Sequence, residues 1–464
     1  MENSKNIQHL YWRAGFGLTA EEWELKQGLS VDRCVNMLFA AAKKASQVAA
    51  NTPWEAGHRK RSKKLSKAKK QKIRERQQEL LKTENFNWIA KMAAPDSSAL
   101  LEKMTLFWHG HFACVFKYGS TAINQLNTIR THALGNFKAL VLAIAKDPAM
   151  IKFLNNQQNK KRSPNENFAR ELLELFTIGR GNYQEKDIKE AARAFTGWHI
   201  DQDGKYYFRE KHHDFGAKQF MGQTGNFDGE AIIDIVLKQK ATAQFICRKI
   251  YRYFVNDIPD EKRIKSLANA FYESNYDLEK LMRTIFTSKW FYFQSNRGTK
   301  IKSPIELLVG IMRSLKVDFK EPRTVLFIQK ALGQILLKPP NVAGWAGGKN
   351  WIDNSTLMLR LNMVTYLMMA TEVDFKVKEE FEASMRNKRM DKIKATIDLE
   401  PIVDSFAKLP EDEVFAALGK YLLPIEVKAL KKQISPFVEV GTTPKSRIQL
   451  LTMWLMSLPE YQLC

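Results

Sequence analysis

Residues 164–179 read Pro-Asn-Glu-Asn-Phe-Ala-Arg-Glu-Leu-Leu-Glu-Leu-Phe-Thr-Ile-Gly and follow directly on Ser163. Phe168, Leu172, Leu175 and Phe176 recur at three- and four-residue spacings, the period of a helix with one apolar stripe. Asn167, Glu171 and Glu174 follow a second face, with Arg170 beside them. Ser163 and Glu166 have the spacing of a capping box, with Pro164 at the first helical position. A helix is therefore expected over 165–178, with Glu166 assigned to the cap and two carboxylates left one turn apart.

The same grammar recurs on both sides. Ser303-Pro304-Ile305-Glu306 repeats the box, Thr19 to Glu22 has the T-x-x-E form, and Asp228 and Asp277 stand as N-caps before apolar-periodic runs. Helical periodicity covers 100–108, 187–195, 230–237, 243–255, 261–272, 278–286 and 305–315. Strand signals are few: 198–208, with Asp203-Gly204 at its centre, reads as a short hairpin. The expected fold is mainly all-α, a multi-helix array with long loops at 212–228 and 338–354, both rich in Gly and Asn. Residues 1–370 form the helical core in this reading. Residues 371–464 begin Lys/Glu-rich, return to an apolar helix near 448–458, and read as a carboxyl-terminal helical region packing back on the core.

Hydrophobic residues make up 44% of the 464, enough for a large buried core, which excludes wholesale disorder. No run reaches the ~18 apolar residues of a membrane span. The amino terminus has no apolar stretch behind a basic head, so no signal peptide is read there, and the expectation is a cytoplasmic protein. Cys34, Cys114, Cys247 and Cys464 are scattered and form no CxxC pair, which speaks against a zinc ribbon or a disulfide framework. The formal net charge is +23, much of it in a basic insertion at about 58–76, where Glu75 is the only acid between Arg59 and Arg76. Without interleaved aromatics the run reads as a solvated helix or loop, and nucleic acid is not favoured as its partner.

Four constellations could carry chemistry. In Phe107-Trp108-His109-Gly110-His111-Phe112, the two histidines can share a divalent metal if the backbone is extended there. Otherwise they are core imidazoles bonded to backbone. Glu171 and Glu174, next to Arg170, can act as general acid and base or as metal ligands; the plainer reading is an ion-paired helix face. His212-His213-Asp214 offers an imidazole that Asp214 can orient, in a loop given freedom by Gly216, Gly222 and Gly225. Trp345 and Trp351, with Asn341, suit a stacking platform with amide hydrogen bonds, or else pin a tight loop into the core. The sequence has no G-x-x-x-x-G-K-[ST], no G-x-G-x-x-G after a strand, no H-E-x-x-H and no G-x-S-x-G, so the enzyme classes built on those motifs lose weight.

His9-Leu10-Tyr11-Trp12-Arg13-Ala14-Gly15-Phe16-Gly17 looks like an amino-terminal HLLxRAGFG motif. EKMTLFWHGHFA (102–113), RTHALGNF (130–137), DPAM (147–150), PNENFARELLELFTIG (164–179) and AARAFTGW (191–198) continue the match. So do HDFGAKQFMGQTGNFDG (213–229), KSPIELLVG (302–310), PPNVAGWAGG (339–348) and SLPEYQ (457–462). Together they resemble the bacterial family called domain of unknown function 1800, over most of 7–370 and the carboxyl-terminal helix. The resemblance brings no catalytic residue with it. It implies a bacterial origin and a frequent gene neighbour from another family of unknown function, number 1501, similar to alkaline phosphatases and often exported. That neighbour is a candidate protein partner and implies cell-envelope or polysaccharide work, which sets an exported location against the cytoplasmic one. The basic run falls between the family motifs, as an insertion would.

The expectation is an enzyme with Glu171, Glu174, His213 and Asp214 as catalytic groups. Asn167, Arg170, Asn341, Trp345 and Trp351 are the expected substrate-binding groups, and His109 and His111 the candidate ligands of a divalent metal. The expected chemistry is hydrolytic or metal-assisted, on a carbohydrate-like or anionic cell-envelope substrate. The alternative is a non-catalytic binding or scaffold protein, whose Trp/Gly/Asn loop and basic patch hold a polysaccharide, another anionic polymer or a protein. In the enzyme reading the three polar clusters converge in one cleft, and in the binding reading they do not.

Overall fold

Side chains that take the first free backbone N–H groups set where the helices begin. In the computed structural model, which describes residues 2–45, 66–95, 98–116, 118–201, 203–369, 395–426 and 443–464, most of the expected caps form. Ser303 Oγ accepts from Glu306 N at 3.3 Å while the Glu306 carboxylate accepts from Ser303 N at 2.7 Å. Thr19 and Glu22 make the same reciprocal pair at 3.3 and 3.0 Å. Asp228 and Asp277 cap Gly229–Leu237 and Leu278–Thr287.

The box at Ser163 does not form. Ser163 closes a tight turn with Lys160, its N–H donating to Lys160 O at 2.8 Å, and the helix starts at Asn167. Two asparagines win the competition for the backbone: Asn159 Oδ1 accepts from Asn165 N at 2.9 Å and Asn165 Oδ1 from Asn167 N at 3.0 Å. The Glu166 carboxylate, released from capping, accepts from Arg170 Nη2 at 3.0 Å.

Helices dominate the described residues, accompanied by three two-stranded antiparallel sheets. The expected hairpin pairs Trp198–Ile200 with Tyr206–Phe208. A second hairpin, Lys218–Phe220 with Gln223–Gly225, occupies much of the segment expected as a loop. Its turn is Met221-Gly222, both at positive φ (46° and 76°), the backbone a two-residue hairpin turn requires. Gly222 suits the second position, but methionine is not a residue that announces the first.

Of the basic run, residues 59–65 lie outside the described residues. From Lys67 it becomes the start of a 27-residue helix, Lys67–Ala93. Its first turns are almost wholly exposed, and its later turns bury Trp88, Ile89 and Met92. One apolar cluster runs from Ile7 to Cys464. Of the carboxyl-terminal region, 371–394 and 427–442 lie outside the described residues. The rest returns to the start of the chain: Tyr421 OH donates to Leu18 O at 3.0 Å and Gln8 Nε2 to Leu423 O at 2.6 Å. No described helix is long and apolar enough to cross a membrane.

The two serine boxes make a matched test. Ser303→Ala removes a formed cap and is expected to cost ~1 kcal/mol, whereas Ser163→Ala should leave the denaturant midpoint unchanged. Equal losses in the two variants would show that the Ser163 box exists in solution.

Candidate active site

The helix Asn167–Glu171 does not continue as an α-helix. Residues Leu172–Thr177 widen into a π-turn, with Ile178 N donating to Leu173 O at 3.1 Å and Thr177 Oγ1 to Leu172 O at 2.5 Å. Gly179 ends it at φ +79°, where an added Cβ would sit 2.6 Å from the Phe245 ring, so glycine is required on both counts. A helix end leaves carbonyls without partners. Here Lys249 Nζ, from the helix Lys240–Phe254, donates to Leu175 O at 3.1 Å, and His111 Nε2 meets Phe176 O at 3.0 Å.

Lys249 Nζ also lies 3.1 Å from His111 Nδ1. An ammonium can only donate. Nδ1 is therefore the acceptor and Nε2–H the donor to Phe176 O. Burial, and then Lys249, push the His111 imidazole well below its usual range, which agrees with this neutral form. Burial brings the Lys249 ammonium down to about 8. His111 is thus a cap of the π-turn.

On the outer side of this turn lie the two carboxylates. Glu174 is held by Arg180 and by Tyr183 OH, which donates to Oε2 at 3.2 Å. Burial, and then the neighbouring Glu174, raise the pKa of Glu171. Arg170 turns aside, its Nη1 and Nη2 donating to Glu185 at 2.8 and 2.9 Å. Asn167 is exposed. Tyr183 carries the site into a groove of about 560 Å³, lined by Asn182, Gln184, Gln219 and Met221 among others.

The remaining candidates do not join this site. His213 is buried, but its Nδ1 donates to Thr196 O at 2.7 Å rather than to Asp214. The Asp214 carboxylate accepts from Arg193 Nε at 2.7 Å and Gly216 N at 2.8 Å. The expected His–Asp pairing is therefore corrected, because a nearby guanidinium outcompetes an imidazole for the carboxylate. Glu185 and Arg193 mark opposite ends of the helix Glu185–Ala194, eight residues or ~12 Å apart. His213 and Asp214 thus lie at the far end from the Arg170 pairing, while the hairpin that follows them in the same loop lines the groove with Gln219, Met221 and Gly222.

His109 and His111 both fall within the helix Ala99–His111, where side chains two residues apart do not face each other. His109 Nε2 accepts from Leu337 N at 3.1 Å, and burial brings its imidazole down to about 4. The extended backbone that a shared metal would need is absent at this pair. Among the described residues, no group of three or more His, Cys, Asp or Glu is placed to hold a metal. The Trp345 ring packs 5.5 Å from His109, and Gly344 approaches Gly110 O so closely that a Cβ would lie 2.2 Å from it. Trp351 is buried, and Asn341 Oδ1 accepts from Ala343 N at 2.9 Å within its own turn. The loop is thus docked on the end of the histidine helix.

A family model described as Protein of unknown function (DUF1800) matches residues 9–463. The chain belongs to the DUF1800 family. Neither a curated protein nor a solved structure matches it.

Within and beside the segments that carry the DUF1800 resemblance lie buried charges, and Glu306, expected only as a cap, is one of them. Lys103 and Lys300 both bind the Glu306 carboxylate, at 2.5 and 2.7 Å, with all three side chains buried. Glu102 is likewise buried, binding Arg130 at 2.5 Å and accepting from Trp88 Nε1 at 2.9 Å. Burial would raise the Glu306 pKa, but Lys103 and Lys300 outweigh it and hold the carboxyl far below the usual range. Burial brings Lys103 down to about 8. The available signal was a charged pair, Glu102-Lys103, inside an otherwise apolar helix. Tyr183, Arg180 and Lys249 gave no such signal, because each meets its partner only through tertiary structure.

Two glutamates should therefore affect stability in opposite senses. The depressed Glu306 contributes above the unfolded glutamate value of about 4.3, and its contribution is lost as pH falls. Glu306→Ala is expected to cost ~3–5 kcal/mol near neutrality, with the gap to the native protein narrowing in acid. The raised Glu171 contributes fully below that unfolded value and loses its contribution as pH rises through the folded one. Glu171→Gln should accordingly melt higher than the native protein at pH 7, with the difference shrinking toward pH 4. A Glu171→Gln variant that melts lower at neutral pH would show that the carboxylate has a stabilising partner.

Proposed function

We propose that the protein is a hydrolytic enzyme in which Glu171 is the general acid and Glu174 the fixed carboxylate. The observation that carries the reading is the unequal treatment of two neighbouring glutamates: Glu174 is anchored by Arg180 and Tyr183, while Glu171 is raised by burial and by Glu174 itself. Environments that differentiate adjacent carboxyls in this way divide acid from base. In a hydrolysis, protonated Glu171 gives its proton to the leaving oxygen as the scissile bond breaks. Water adds to the other fragment and gives its proton to Glu174.

The groove supports a carbohydrate-like substrate. Tyr183 offers a ring face, and the lining sets the charged Lys186 and Asp187 among the amides of Asn182, Gln184 and Gln219, with Asn182 Nδ2 donating to Ile178 O at 3.0 Å and Gln219 Oε1 accepting from Lys186. Arg180, 82% exposed at its side chain, stands at the edge and suits an anionic substituent of an envelope polymer.

The test begins with a search for turnover on chromogenic glycosides and anionic oligosaccharides. Glu171→Gln and Glu174→Gln should each then lower kcat by ~10²–10⁴-fold while melting as folded proteins. Unchanged turnover in both variants would remove the pair from the chemistry. Tight polymer binding by the native protein without turnover would favour the scaffold alternative.

A further inference from the structure

The first hairpin has two unlike faces. Its register sets Trp198 opposite Phe208, His199 opposite Tyr207 and Ile200 opposite Tyr206. Trp198 and Ile200 are buried and Tyr206 packs on Trp198 at 5.2 Å, while Phe208 on the same side is itself exposed and packs on His213 at 5.0 Å. The ladder extends at both ends, with Arg209 N donating to Gly197 O at 2.8 Å and Asp201 N to Lys205 O at 2.9 Å. Alternation therefore places Lys205, Tyr207 and Arg209 together on the outer face, with His199 across from Tyr207 at 5.3 Å.

The core does not account for this outer face. Lys205, Tyr207 and Arg209 are all exposed. The Lys160–Arg162 turn lies alongside, Lys161 N donating to His212 O at 2.8 Å, and His212 packs 6.2 Å from His199. Partial burial, then Arg209, Lys160, His199 and Lys161, depress the His212 imidazole, which places those cations around it. His212 Nδ1 has no hydrogen-bond partner among the described residues.

Lys160, Lys161, Arg162, Lys205, Arg209 and Lys211 are exposed, and none forms an ion pair with a described carboxylate. The exposed acids nearby are Glu210 and, at the hairpin tip, Asp203, while Asp201 spends its carboxylate on the N–H groups of Asp203 and Lys205 at 2.9 and 2.8 Å. The basic run at 59–76 lacks rings, but here rings and cations alternate along one strand.

We infer that the outer face of this hairpin binds single-stranded nucleic acid. Phosphates would lie along Lys205, Arg209 and the Lys160–Arg162 turn, and a base would stack on Tyr207 beside His199. Unpaired cations beside an exposed ring match a charged backbone that carries flat bases. A neutral sugar chain would leave these cations unmatched, and the described residues of this face carry no amide for its hydroxyls. The inference is independent of the carboxylate chemistry proposed above.

The test is fluorescence anisotropy with a labelled oligodeoxythymidylate of about 12 nucleotides, over a range of salt, with heparin as a polyanion that lacks bases. Tyr207→Ala leaves the net charge unchanged and is expected to weaken binding about 5- to 100-fold, whereas Tyr207→Trp should retain it. Lys205→Ala with Arg209→Ala should weaken binding and flatten the slope of log affinity against log salt by roughly 1.4. Tyr207 is 36% exposed and packs on His199 at 5.3 Å, so thermal melts of its variants establish folding before binding is compared. Native-like affinity in a folded Tyr207→Ala protein would overturn the inference by reducing the binding to general charge. Binding of heparin without the oligonucleotide would overturn it in favour of an anionic polysaccharide.

Discussion

Glu306 places a carboxylate in the middle of an apolar core, and the fold is arranged to answer it. An unpaired charge in such a place costs several kcal/mol, so Lys103 and Lys300 must both arrive. Each arrival fixes a segment. Lys103 brings the helix Ala99–His111 and donates to Gly15 O at 2.8 Å, which pins the end of the first helix. Lys300 lies in a strip whose backbone pairs with Cys464, and two residues on, Lys302 donates to Tyr461 O at 2.6 Å and sits 3.4 Å over the Trp12 ring. Arg13 donates to Cys464 O and Arg360 to Lys302 O, at 2.7 and 2.6 Å. The two ends of the chain are thus joined through buried cations rather than through apolar packing alone. Such a network is satisfied only when partners distant in sequence meet, which ties these segments to one another.

A second consequence reaches the candidate site. The helix fixed by Lys103 ends at His111, which caps the π-turn with Lys249. With its inner carbonyls satisfied, that turn can hold an irregular backbone next to the apolar core. Glu171 and Glu174 are left on the outer side, beside Arg180, Tyr183 and the groove. The structural network and the proposed chemistry therefore lie on different helices, linked where His111 at the end of one meets Phe176 O in the π-turn of the other.

Much of the helical plan was legible in the residues. The Ser303 box, the Thr19 box, the caps at Asp228 and Asp277 and the hairpin at 198–208 all follow from local rules, in which a side chain meets a backbone group a few positions away. The local rule failed at Ser163, where asparagines on a neighbouring turn offered better partners. It also failed at Met221-Gly222, where Gly222 suits the turn but Met221 does not announce a positive φ. The carboxylate pair was legible as a pair, whereas its asymmetry was not, because Arg180 and Tyr183 reach Glu174 only after the chain turns at Gly179.

The sequence alone determined that the chain is mainly helical, where most helices start, that it belongs with DUF1800, and which residues could carry chemistry. Periodicity and capping act over a few residues, and a linear reading can follow them. Tertiary structure decided which candidates meet. It turned His213 to Thr196 and Asp214 to Arg193, set His109 on Leu337 N, and drew Lys103 and Lys300 to Glu306. Each of these outcomes is a competition for a buried polar group among partners distant in sequence. Burial and distance settle such a competition, and neither is a property of a residue read in isolation.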